Sequence, residues 1–170
     1  MSARTRLIVF VAVFLLLYGG LQFATGLQRW FIDDLTVPLA AWAINTTGVS
    51  PVPVHANGSR LVASGGGLNV LQGCEGLDLL CLWIAAVSAG PFTWRARLLA
   101  LTLGSAVVVA LNQIRLVSLY QLYRQHRAWF DDAHGLWWPL ALVVLVWALY
   151  SLWQRASGTP WVTTAQAATP

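Results

Sequence analysis

Apolar and polar residues are distributed along this chain in long blocks. The first apolar block runs from Leu7 to Phe23 and follows Arg4 and Arg6. A charged start and an apolar core also describe a secretory signal peptide. The run is long for one, however, and Phe23-Ala24-Thr25-Gly26 is a poor cleavage site, so a retained helix is expected. Further apolar blocks predict spans at 77–90, 98–120 and 136–153, which makes four in all. Trp30, Pro38 and Trp42 mark an interfacial stretch, and Leu35 to Ile44 is expected to lie flat on the membrane.

Between the first two spans the pattern shortens. Val52-Pro-Val-His, the turn Asn57-Gly58 and Leu61-Val-Ala read as a small β-hairpin within an outer region at 49–72. Gly65-Gly66-Gly67 ends that hairpin, and Leu68 to Leu71 is a candidate third strand. Asn45-Thr-Thr and Asn57-Gly-Ser match the glycosylation triplet, but the turn accounts better for Asn57. The expected fold is an all-α polytopic membrane protein. It comprises one integral domain over 1–155 and a mobile cytoplasmic tail over 156–170.

Composition narrows the function classes. Of 170 residues 58% are hydrophobic and 9% charged, with ten Trp and no Lys, and mean hydropathy is +0.65. A soluble domain carries about a quarter charged residues, so a soluble enzyme and a disordered chain are both excluded. The formal charge is +4, but the ten Arg are scattered and form no basic stripe, which argues against nucleic-acid binding. Two Cys are too few for a disulfide framework. Three scattered His and two Cys lack metal-ligand spacing, and no glycine loop has a nucleotide-binding context, so no cofactor is expected. Arg4, Arg6, Arg95, Arg97 and Arg155 fall on one side of the predicted spans, whereas all six acids fall on the other. The short loop Pro91 to Arg97 then sets both termini in the cytoplasm.

Three residues break the apolar pattern. Cys74 lies in Gly73-Cys74-Glu75-Gly76, just before the second span. The helix dipole there favours thiolate, and Glu75 and Asp78 oppose it. Taken alone, a membrane Cys reads as a small packing residue. Arg115 lies 18 residues beyond Arg97, roughly 27 Å along a helix and near the outer edge of the core. It is open to a structural reading, as an ion pair with Glu75 or Asp78 or as a snorkelling cation. Asn112, three residues earlier, shares its face. His134 precedes Gly135 and the last span, whereas His55 and His126 read as solvated. Span limits place Cys74, Arg115 and His134 near one outer interface, where a nucleophile, a permanent cation and a base can serve a single carbonyl.

The order of these motifs, GCEG at Gly73 to Gly76, NQIR at Asn112 to Arg115 and His134 opening the last span, resembles the exosortase/archaeosortase family. The resemblance covers Leu68 to Trp153. The chain's compactness and Trp94-Arg-Ala-Arg-Leu-Leu are most similar to short exosortases of the H or M type. Glu75 departs from the small polar residue that many members carry after the Cys, and typical members have more N-terminal spans.

The resemblance implies a cysteine transpeptidase or protease in the bacterial cytoplasmic (inner) membrane, with its site on the outer face. Its substrates would be exported proteins with a C-terminal sorting signal, made of a motif, a transmembrane helix and a basic tail. The acceptor would be a lipid or other amine, or water. By carry-over, Cys74 forms a thioester, Arg115 stabilises the oxyanion and His134 handles the proton. Asn112 orients Arg115 or binds substrate, and Glu75 and Asp78 are further substrate-binding candidates. The competing classes are a membrane thiol oxidoreductase using Cys74 and Cys81, and a non-enzymatic assembly partner. Seven residues between the two Cys is a poor redox spacing.

Overall fold

A computed structural model describes residues 2–158, so most of the expected tail lies outside the described residues. Helix α1 (Ala3–Phe23) is capped by Ser2, whose hydroxyl accepts from the Thr5 amide at 3.2 Å. After Ala24 breaks the run, α2 (residues 25–47) begins, with a π-helical stretch at Phe31–Thr36. A three-stranded sheet follows, formed by β1 (His55–Asn57), β2 (Arg60–Ala63) and β3 (Gly66–Asn69). Three further helices complete the fold: α3 (Leu77–Ala89), α4 (Trp94–Gln125) and α5 (Arg127–Ala156). Both α4 and α5 contain π-helical segments, at Ala100–Gly104 and Ala133–Trp137.

Among the described residues three helices, not four, are long and apolar enough to cross a membrane: α1, α4 and α5. The expected second span is present as α3, but it has 13 residues. At 1.5 Å per residue it reaches about 20 Å, against a hydrocarbon core about 30 Å thick. Its ends are set by backbone chemistry. Gly76 caps it at φ 87°, and Gly90 leaves it in extended conformation directly before Pro91.

The sheet is antiparallel in the order β1-β2-β3. Two details differ from the sequence expectation. Asn57 pairs with Arg60, so the two-residue turn is Gly58-Ser59 rather than Asn57-Gly58. The third strand is present but covers Gly66–Asn69 rather than Leu68 to Leu71, so Gly66 and Gly67 pair with Ala63 and Val62 inside β3 instead of separating it from the hairpin. Asn45 ties the sheet to α2 by donating to the Val54 carbonyl and accepting from the Val54 amide, both at 2.9 Å.

Two apolar clusters hold the fold. In the first, Val37, Ala40 and Ile44 of α2 meet Leu61 of the sheet and Leu116 and Tyr120 of α4. Leu35 to Ile44 is thus part of a helix packed on the sheet and on α4. In the second, Trp83 and Val87 of α3 pack with Val108 of α4 and Leu142 and Val146 of α5. Trp83 is fully buried and donates its indole N–H to the Ala100 carbonyl at 3.0 Å. That carbonyl lies where the π-helical turn of α4 begins, and Gly104 at its end leaves the indole ring room that a Cβ would fill.

Candidate active site

The loop Gly73 to Gly76 lies between the two clusters. The Cys74 amide donates to the Leu71 carbonyl at 3.0 Å, which folds the chain back after the sheet. Asn112 of α4 packs on Gly76, where a Cβ would come within 2.8 Å of the Asn112 Cγ. From there its Nδ2 donates to the Cys74 carbonyl at 3.1 Å. One turn further along α4, Arg115 is 5% exposed. It donates from Nη1 to the Gly73 carbonyl at 3.4 Å and from Nη2 to the Cys74 sulfur at 3.9 Å.

His134 comes from the π-helical segment of α5, and its Nε2 lies 3.0 Å from the Cys74 Sγ. The widened turn aims the ring sideways at the loop, and π segments often have this role at functional sites. Phe130 stacks on the imidazole with centroids 5.7 Å apart and planes 7° from parallel. The sequence reading missed Phe130, although its position four residues before His134 on a helix was a usable signal. His55 and His126 are exposed and take no part.

Thus Cys74, Arg115, Asn112 and His134 meet at one point. Arg115 does not pair with Glu75 or Asp78; its terminal nitrogens are spent on the loop carbonyl and the sulfur. Glu75 is 4% exposed, and its Oε2 has no hydrogen-bond partner. With Asp78, Gln22, Gln28 and Tyr18 it lines a separate cavity of about 200 Å³. Asp78 also accepts from the Leu79 amide at 2.9 Å.

The electrostatics differ from the helix-dipole argument. Burial pushes the Cys74 thiol above its ordinary value, Arg115 pulls it down, and Glu75 pushes it up again. Cys74 lies two residues outside the cap of α3, and desolvation is the largest of the effects on it. Burial likewise raises the Glu75 carboxyl, against the opposing backbone amides of Glu75, Gly73 and Cys74. A neutral thiol against an imidazole is the resting state this favours, with proton transfer from sulfur to Nε2 available over a single short contact.

The family model of the transmembrane exosortases matches residues 2–147. The chain belongs to the transmembrane exosortase family. The match takes in α1, α2 and the sheet as well as the three motifs, and so extends well upstream of Leu68, where the sequence resemblance began. No curated protein and no solved structure matches the chain. Membership in the exosortases points to a membrane transpeptidase role in protein sorting, and several apolar helices agree with a multi-pass membrane protein.

Proposed function

We propose that this exosortase is a cysteine transpeptidase or protease that cleaves C-terminal sorting signals at the outer face of the cytoplasmic membrane. The observation that carries the reading is the 3.0 Å contact between the Cys74 sulfur and His134 Nε2, with the Arg115 guanidinium 3.9 Å from the same sulfur. On attack, Cys74 gives its proton to Nε2 and its sulfur bonds to the scissile carbonyl carbon. The oxyanion that forms is met by the Arg115 cation, which cannot deprotonate. The C–N bond then breaks, and His134 returns the proton to the leaving amine. In the second half-reaction an amine or water gives a proton to His134 and attacks the thioester. The C–S bond breaks, and sulfur leaves as thiol.

Asn112 acts in this scheme by holding the Cys74 carbonyl, which fixes the direction of the side chain. The thiol-oxidoreductase alternative has no support of this kind. Cys81 is buried within α3, and the sulfur of Cys74 faces His134 and Arg115.

The test is C-terminal peptide mapping of envelope proteins from the source organism, comparing wild type with a strain carrying only Cys74→Ala at equal abundance. A set of proteins that keeps a helix and basic tail only in the mutant is the expected result. It would also reveal the cleavage motif. Identical C-termini in the two strains, with substrates expressed, would overturn the reading.

A further inference from the structure

The sheet has two outer edges, and they are built differently. Unpaired strand edges invite pairing, and proteins guard them with proline, charge or cover. The β1 edge is guarded: Pro51 and Pro53 lead into it, and Asn45 occupies both backbone polar groups of Val54. The β3 edge is open. Gly66-Gly67-Leu68-Asn69 contains neither charge nor proline, and its principal contacts among the described residues are with β2. Gly66, Gly67 and Asn69 are exposed, as are Leu71, Gln72 and Gly73 on the way to Cys74.

The register decides which groups are free. The Val70 amide donates to the Ser59 carbonyl at 2.8 Å, Leu68 faces Leu61, and Gly66 faces Ala63. In an antiparallel ladder alternate residues turn both polar groups to the partner. Val70, Leu68 and Gly66 therefore serve β2, and Gly67 and Asn69 turn outward. Beyond the ladder, the Leu71 carbonyl is taken by the Cys74 amide. From Asn69 to Cys74 the chain covers at most about 16 Å, the reach of a short extended peptide. Beside this run, Arg29, Ile32 and Asp33 of α2 line a groove of about 370 Å³ together with Ser59, Val70, Leu71 and Gln72.

We propose that this edge, residues 67–69, docks the substrate polypeptide. The extended segment beside the scissile bond adds to β3 as a fourth strand, bonded by the outward groups of Gly67 and Asn69, and is led to Cys74. Main-chain bonds of this kind give affinity, while side chains alternating into a neighbouring groove give selectivity. The inference rests on the cysteine-peptidase reading above. Its occupant is a polypeptide because the open edge ends five residues before the nucleophile proposed to cut one.

Two experiments test it, on the full chain in nanodiscs with a synthetic peptide spanning a mapped cleavage site and its following helix. In the first, single N-methyl groups are scanned along the peptide upstream of the cut, leaving the protein unaltered. Docking on the edge predicts losses of about tenfold in cleavage at every second amide and little loss between them. Uniform losses, or none, would overturn it. The second compares Asn69→Pro, which removes an outward N–H, with Ala56→Pro on the guarded edge. Only Asn69→Pro is expected to slow cleavage about tenfold, with Cys74 alkylation unchanged. Equal effects of Asn69→Pro and Ala56→Pro, or loss of self-association in place of cleavage, would overturn the docking role. Cleavage persisting in Cys74→Ala would instead sink the peptidase reading, whatever the N-methyl pattern.

Discussion

Replacing Arg115 by lysine separates a positioned guanidinium from a mere buried charge. The planar group reaches two acceptors at once, with Nη1 on the Gly73 carbonyl at 3.4 Å and Nη2 on the Cys74 sulfur at 3.9 Å. A lysine ammonium is a single point on a flexible stem and cannot hold both. The positive charge is kept, so the fold is expected to survive at near wild-type abundance. What is lost is one charge-assisted hydrogen bond in a buried site, worth about 1.5–3 kcal/mol. At 1.4 kcal/mol per decade this is a fall of roughly 10- to 100-fold in cleavage rate. Loss of an oxyanion donor in other enzymes costs about 100- to 1000-fold, so the upper part of that range is the better guide. The assay is the initial cleavage rate of a peptide carrying the mapped site, normalised to protein level and to iodoacetamide labelling of Cys74. Arg115→Gln removes the charge that pulls the thiol down, so it should also move the labelling midpoint to higher pH. An Arg115→Lys chain that is equally abundant and cleaves at the wild-type rate would refute the oxyanion role.

Four further outcomes are expected. Burial raises the Cys74 thiol, so alkylation should rise with pH through a midpoint above that of an ordinary cysteine. Glu75 contributes to that rise, so Glu75→Gln should lower the midpoint and speed alkylation at neutral pH; a midpoint moving upward would show that Glu75 acts otherwise. Gly76→Ala places a side chain at φ 87° and within 2.8 Å of the Asn112 Cγ. The left-handed backbone alone costs about 1–2 kcal/mol, so thermal unfolding in detergent should shift down and cleavage should fall with it. Gly104→Ala collides with the buried Trp83 ring, whose indole bonds Ala100. A loss of about 1–3 kcal/mol by overpacking is expected, read as a lower unfolding temperature with Cys74 labelling rate unaffected at low temperature.

Local pattern made much of the architecture legible. The apolar blocks at Leu7 to Phe23, 98–120 and 136–153 correspond to helices α1, α4 and α5, because a membrane-length apolar run has few other ways to satisfy its backbone. Turn residues and alternation located a hairpin, although its register needed the pairing of Asn57 with Arg60. The positions of Cys74, Arg115 and His134 could be reasoned to one depth, since rise per residue is a property of the helix alone. The bounds of α3 were legible in Gly76 and Gly90-Pro91, and the span read at 77–90 was already short; Leu77 to Ala89 is as apolar as a span without having its length.

Contact between side chains depends on how each helix is turned about its axis, and only packing decides that. Asn112 against Gly76, Trp83 against Gly104, and the sheet clamped by Asn45 together place the loop so that the sulfur meets Nε2. The sign of the thiol's shift was beyond the sequence for the same reason. A neighbouring dipole is visible in the order of residues, whereas desolvation is the sum of everything packed around the group, and at Cys74 desolvation is the largest cause of the shift. The sequence by itself determined which residues can carry charge, a proton or a nucleophile in an apolar chain. Tertiary structure decided which of them touch, because rotation and burial are set by contacts between segments far apart along the chain.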